Sequence, residues 1–244
     1  MSDPETPPTD VPPPGPGLDP HAAQAHWERV YQTKAVDAVS WYTPHLATSL
    51  ELIGEAGLSP SASMLDVGAG ASTLAADLLD QGFTDLTVVD LSATALERAR
   101  EARRAAQLAR GVDRPDPVRD LVGDIRTVAL PAGAFDLWHD RAVFHFLTAP
   151  EDQAAYLRQA HHALRPGGRI IVATFGPDGP EMCSGLPVVR YSDEALQACF
   201  GSAFERVRCV RETHATPWGT AQAFVACLCR RRADASNAAK AGRS

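Results

Sequence analysis

Met64-Leu65-Asp66-Val67-Gly68-Ala69-Gly70-Ala71-Ser72-Thr73 is the stretch on which the fold turns. A short apolar run meets a Gly-x-Gly turn, and a helical pattern over Ser72–Gln81 follows, closed by Gly82. Glycines let the backbone turn tightly and let a ligand approach with no Cβ in the way. Twenty residues beyond Gly70, a second apolar run ends in Val88-Val89-Asp90. A carboxylate at that strand tip accepts hydrogen bonds from both hydroxyls of a ribose and disfavours a 2′-phosphate. A Gly-x-Gly turn alone says little; strand, turn, helix, second strand and terminal acid in register say much more. A dinucleotide site, as in a nicotinamide dehydrogenase, is the competing reading. It asks for a third glycine where Thr73 stands, and it puts Asp66 beside a pyrophosphate. Asp66 suits a cation, an ammonium or a sulfonium, better.

Working outward, further β-rich runs stand at Val118–Gly123, Phe135–His139 and Arg169–Phe175, with helical patterns over Ser92–Arg110 and Glu151–Leu164. This alternation predicts βαβ units and a parallel sheet. The last two runs, Phe204–Arg211 and Ala223–Cys229, are separated only by Glu212–Gln222, too short for a helical crossover. They are expected to pair antiparallel at one edge.

Length and composition fit one α/β domain, over residues 21–231 of 244. Residues 1–20 hold eight of the 19 prolines, four acids and no Lys or Arg, which predicts a disordered leader. They lack the basic start and apolar run of a signal peptide. Residues 232–244 read as a disordered basic tail. A net charge of −7 argues against a basic nucleic-acid face. No run approaches the roughly 18 apolar residues of a membrane span. The five cysteines, at 183, 199, 209, 227 and 229, form no C-x-x-C pair, and their odd number argues against a disulfide framework. Cys227 and Cys229 read as small core residues on one strand face, and a reducing cytoplasm is the expected compartment.

On these residues the chain resembles the class I S-adenosylmethionine-dependent methyltransferases. Asp66-Val67-Gly68-Ala69-Gly70 matches the first motif of that family, and Asp90 the acid that holds the ribose. Gly123-Asp124-Ile125 matches the segment that meets the adenine, with Asp124 accepting from the exocyclic amine. Leu164-Arg165-Pro166-Gly167-Gly168 matches an L-x-P-G-G turn common in the family. The resemblance spans about residues 24–229. It implies a Rossmann-like doubly wound α/β fold, with a seven-stranded, mostly parallel sheet and an antiparallel final strand. It also implies S-adenosyl-L-methionine as cofactor. The expected cofactor contacts are Asp66, Gly68, Gly70 and Ser72 at the first turn, Asp90 and Leu91 at the second, and Asp124 and Ile125 at the third.

Trp27-Glu28-Arg29-Val30-Tyr31 and Val39-Ser40-Trp41-Tyr42 are similar to the N-terminal cap of thiopurine-type and protein-lysine methyltransferases. Tyr31 and Trp41 are expected to touch ligand, where an aromatic face gains roughly 0.5–2 kcal/mol on a cation. Phe135-Asp136-Leu137-Trp138-His139-Asp140-Arg141-Ala142 resembles the strand-four motif of the same groups. Asp140-Arg141 is closer to the thiopurine type than to the Asp-Lys-Gly of lysine enzymes, whose glycine is Ala142 here and whose later acid is His145.

Methyl transfer from a sulfonium needs alignment, a dry site and a deprotonated nucleophile. A thiolate or hydrogen selenide needs little help from a base; an alcohol or ammonium must lose a proton. Asp140, Arg141 and His145 are the candidates on the acceptor side. His145, in Val143-Phe144-His145-Phe146, is expected to be neutral, as a base, an orienting group or a satisfied buried residue. Asp140 and Arg141 are alternatively an ion pair shaping the loop. Gly176–Ser192 is long enough to be a lid, with Cys183 in the acceptor pocket or packed and Arg190 clamping an anion or lying on the surface. Trp218 at the final turn is expected to pack. The reading is a cytoplasmic methyltransferase whose partner is a small-molecule acceptor, a thiol or other chalcogen nucleophile, without nucleic acid or membrane. A protein-lysine methyltransferase and a non-catalytic S-adenosylmethionine-binding protein are the alternatives.

Overall fold

Asp19 starts the first helix. In the computed structural model, which describes Gly17 and residues 19–233, its carboxylate accepts from Ala22 N at 2.8 Å, and Pro20 takes the first helical turn. Helix α1 (Pro20–Thr33) thus begins inside the segment expected to be leader; most of the expected leader and nearly all of the tail lie outside the described residues. The chain continues through α2 (Ala47–Glu55), β1 (Ser63–Val67), α3 (Leu74–Asp80), β2 (Asp85–Asp90), α4 (Ala93–Ala109) and β3 (Arg119–Val122). Then come β4 (Phe135–Arg141), α5 (Pro150–Ala163), β5 (Leu164–Phe175), β6 (Met182–Cys183), β7 (Leu186–Pro187), α6 (Asp193–Phe200), β8 (Phe204–Ala215) and β9 (Ala221–Arg231).

Seven strands form one sheet in the order β3-β2-β1-β4-β5-β9-β8. The first five are parallel; β9 runs antiparallel to both β5 and β8. All five residues of β1 are buried, as a strand covered on both faces requires. Side-chain alternation divides its residues between two cores. Leu65 and Val67 join a cluster with Tyr156 and Ala160 of α5 and Leu196 of α6. Met64 joins Leu52 and Ile53 of α2 and Leu74 and Leu78 of α3 on the other face. The connection reverses between β1 and β4, and a crevice opens at their carboxyl ends, where open α/β sheets bind ligands.

Helix α1 lies across that crevice. Its Glu28 carboxylate accepts from Ser92 Oγ at 2.7 Å and from Thr94 N at 3.3 Å at the start of α4. A carboxylate at a helix N-terminus is favourably placed against the macrodipole.

Three expectations need correction. Cys209 and Cys227 are register partners on β8 and β9 and are joined as a disulfide, leaving Cys183, Cys199 and Cys229 free. Hairpin register decides that pairing, and a count of cysteines is blind to register. With it falls the cysteine argument for a reducing compartment. Trp218 does not pack: it is 61% exposed at the β8–β9 turn. Gly176–Ser192 is not a bare loop: it contains the β6–β7 hairpin, and Val189 N and Tyr191 N donate to His145 O and Phe175 O at 2.8 and 2.9 Å. No helix among the described residues is long and apolar enough to cross a membrane.

Candidate active site

The first turn is built around two left-handed glycines, Gly68 at φ +62° and Gly70 at φ +55°. Gly68 N donates to Val89 O at 2.7 Å, and Gly70 N to Asp90 Oδ2 at 2.8 Å. A Cβ on Gly68 would run into Val143, and one on Gly70 into the Tyr31 hydroxyl. Both glycines therefore answer to close neighbours on β4's outgoing loop and on α1 as well as to backbone conformation. Asp90 also accepts from Ser92 N at 2.8 Å. Burial pushes its carboxyl up to about 6, against those backbone donors.

Beyond the turn lies a cleft of about 890 Å³, partly open to solvent. Gly68, Asp90, Leu91, Asp124 and Ile125 line one end. Trp27, Trp41, Phe146, Arg141 and Cys183 line the β4 side, and Tyr31 lies over the Gly70 turn. Ring centroids stand 5.6 Å apart for Trp27–Trp41, 5.2 Å for Trp27–Phe146 and 6.4 Å for Tyr31–Trp41, an edge-to-face aromatic cover. Trp41 and Ala71 hydrogen-bond the Tyr31 hydroxyl, whose pKa burial raises.

An adjoining chamber of about 1010 Å³ shares Tyr31, Trp41, Gly68 and Arg141 with the cleft and holds Asp66 and Ser72. Asp66 is on the α2 side of the sheet and accepts from His139 Nδ1 at 2.7 Å. The other ring nitrogen of His139 meets Ser49 Oγ on α2 at 2.9 Å. In the tautomer with Nδ1–H donating to the carboxylate, Nε2 accepts from the serine hydroxyl. This buried Ser49–His139–Asp66 line was not foreseen, because its members are brought together only by the β1–β4 register and by α2.

Asp124 lines the cleft, but its carboxylate is engaged by Arg126, whose Nε stands 3.0 Å from both oxygens. Burial raises the Asp124 pKa, yet Arg126 outweighs it and holds the carboxyl below its ordinary value. Arg126 Nη1 also reaches Asp152 of α5 at 2.6 Å.

The acceptor-side candidates separate. Asp140 is fully buried and points to α5: it accepts from Tyr156 Oη at 2.6 Å, Val143 N at 2.9 Å and Phe144 N at 3.1 Å. Burial pushes it up to about 7. Its bonds fix the turn in which Ala142 takes φ +69°, a conformation that costs a residue with a Cβ. His145 is enclosed behind Phe146 and Phe175; its Nδ1 accepts from Phe175 N at 3.3 Å. Burial, with a smaller push from Arg141, lowers it to about 3, so the imidazole is neutral. Arg141 alone of the three lines the cleft; it pairs with Glu212 on β8 at 3.9 Å rather than with Asp140. Cys183 joins the wall from the β6–β7 hairpin, and burial pushes its thiol up to about 11. Arg190 turns away to Glu181 at 3.1 Å.

The family model described as "Methyltransferase domain" matches residues 65–172. Among curated proteins, the chain is 26% identical over 148 residues to the eEF1A lysine and N-terminal methyltransferase of Bos taurus, covering 60% of this chain and 19% of that protein. It is 28% identical over 117 residues to the ubiquinone/menaquinone biosynthesis C-methyltransferase UbiE of a Ruegeria strain, covering 48% and 43%. The chain thus spans about a fifth of the length of the eEF1A methyltransferases it matches. Among solved structures, a chain from work on conversion of a disulfide bond into a thioacetal group during echinomycin biosynthesis superposes with a TM-score of 0.68 at 20% identity, over 90% of this chain and 98% of that one. The 1,6-didemethyltoxoflavin-N1-methyltransferase of Burkholderia thailandensis gives 0.60 at 21% identity, over 95% and 100%. The solved structures share the seven-stranded fold, and the family match places a methyltransferase domain over residues 65–172 of this chain.

Proposed function

We propose that this chain transfers a methyl group from S-adenosylmethionine to a small acceptor that arrives already deprotonated, a thiolate or another chalcogen nucleophile. The observation that carries the reading is the chemistry of the acceptor end. Trp27, Trp41, Phe146, Ala142 and Cys183 face it, and none of them is a base at neutral pH. Asp140 and His145 are sealed away from it. Asp90 and Asp124 stand at the opposite end of the cleft.

The donor fits the lining formed by Gly68, Asp90, Leu91, Asp124 and Ile125, with carboxylates at the end of β2 and after β3 beside bare backbone after β1. When bound, it supplies an electrophilic methyl on a sulfonium with a good leaving group. Asp90 would take the ribose hydroxyls, Leu91 and Ile125 would flank the base, and Asp66 would offer a carboxylate oxygen to the ammonium from the adjoining chamber. Asp124, already held by Arg126, braces the adenine end. Tyr31 and Trp41 cover the reacting centre and exclude water, which strengthens alignment. Asp140 and His145 hold the wall. A nucleophile that arrives deprotonated would take the methyl group without exchanging a proton with the protein.

A protein-lysine acceptor is the second reading, supported by what the eEF1A methyltransferases are named for. It requires loss of a proton from an ammonium at a site where the described residues offer no facing base. A panel of hydrosulfide, thiophenol and hydrogen selenide against amines, carboxylates and a protein extract separates the two. Methylated thiol or selenol product is expected. Methyl label on protein or amine alone, with none on the chalcogens, contradicts the reading.

A further inference from the structure

Arg141 carries a charge that the fold answers only with Glu212, across 3.9 Å. Its side chain is only 8% exposed. Nη1 donates to Trp41 O at 3.1 Å, and the guanidinium carbon stands 4.9 Å over the Phe224 ring. Nη2 is buried and has no hydrogen-bond partner. The nearest carboxylate, Glu212, is 3.9 Å from it and partly exposed, beyond hydrogen-bond reach. The other groups around it bring no negative charge. Cys183 is protonated, and His145 and His214 are both kept neutral, chiefly by burial. A buried guanidinium stays ionised, and an unpaired ionised donor inside a protein is costly.

Arg141 lines both the cleft and the adjoining chamber, so its charge acts on ligand space, with Nη2 itself enclosed. We propose that the Arg141 guanidinium is the anchor of an anion subsite that selects acceptors carrying a negative charge, with Glu212 as a competing counter-charge that tempers it. The inference rests on the methyltransferase reading above and narrows it: the acceptor is held by its charge beside the aromatic cover. The charge lost when a thiolate becomes a thioether would also weaken the product's hold on the subsite, easing its release.

Calorimetric titration of sodium thiocyanate, a soft monovalent anion, into the full chain saturated with S-adenosylhomocysteine tests this. Saturable binding is expected for the wild type. R141Q should weaken thiocyanate by about tenfold or more, the scale of a lost charge-assisted bond, and leave S-adenosylhomocysteine within about twofold. Glu212→Gln, at a partly exposed position, should tighten thiocyanate severalfold with the cofactor product unchanged, and it keeps the test open should the Arg141 variant misfold. Two results overturn the subsite: thiocyanate that does not bind, or an Arg141 variant that weakens S-adenosylhomocysteine while thiocyanate holds, which would give the guanidinium to the donor's own carboxylate. A wild-type chain that fails to bind S-adenosylhomocysteine overturns the donor reading itself, and the subsite with it.

Discussion

The two ends of the cleft are made of opposite materials. At the β1–β3 end, carboxylates and backbone amides are tied to one another before any ligand arrives: Gly70 N and Ser92 N on Asp90, Arg126 on Asp124. At the β4–β5 end, rings meet ring edges, and one guanidinium lacks a full set of partners. The first end is built to bind a fixed, polar ligand by hydrogen bonds. The second excludes water and fixes little beyond charge and shape. One fold serves many methyl acceptors by keeping the first end and rebuilding the second.

Substitutions at the donor end should act on cofactor affinity most strongly. Gly68→Ala puts a methyl against Val143 at a left-handed φ, and S-adenosylhomocysteine binding should fall about 100-fold by calorimetry. Asp90→Asn should cost about tenfold. The wild type should show the matching pH dependence. Ribose hydroxyls donate to the ionised carboxylate, and burial raises Asp90 to about 6. Affinity is then flat above that pH and falls as pH drops through it, since binding must first expel a proton; Asp90→Asn should flatten the profile.

Substitutions in the scaffold of the acceptor end should touch stability instead. Tyr156→Phe removes the hydroxyl from buried Asp140 and should lower unfolding free energy by about 1–3 kcal/mol, read by urea denaturation, with cofactor affinity nearly unchanged. Ala142→Gly relieves a positive φ and should raise stability by about 1 kcal/mol. His145→Gln is the smallest case. A neutral, enclosed imidazole gives no acid limb to the rate, so kcat should change little and its pH profile not at all.

The donor end was legible in sequence because its determinants are local. Asp66–Gly70 and Asp90 each close a strand, and β1 and β2 are paired neighbours. What went unread depends on contacts between distant elements. Ser49 and His139 are 90 residues apart and meet only because α2 packs over the β1–β4 pair. The Cys209–Cys227 bond follows from the hairpin register, which runs unbroken from Ala215–Ala221 at the turn to that pair. Asp140 and His145 sit in a motif near the chemistry, yet strand alternation turns Asp140 toward α5, and the turn after β4 folds His145 behind Phe146. Helices α2 and α6, of nine and eight residues, escaped the sequence reading, whereas α3, of seven, is marked by the glycine turn before it and Gly82 after it.

The most direct test is the pH dependence of kcat/KM for a series of thiols of different acidity, at saturating S-adenosylmethionine. The rate should rise with the thiolate fraction of each acceptor, so that the apparent pKa moves with the thiol. An apparent pKa that stays fixed across the series would reveal a proton acceptor in the protein and contradict the assignment of a nucleophile that arrives deprotonated.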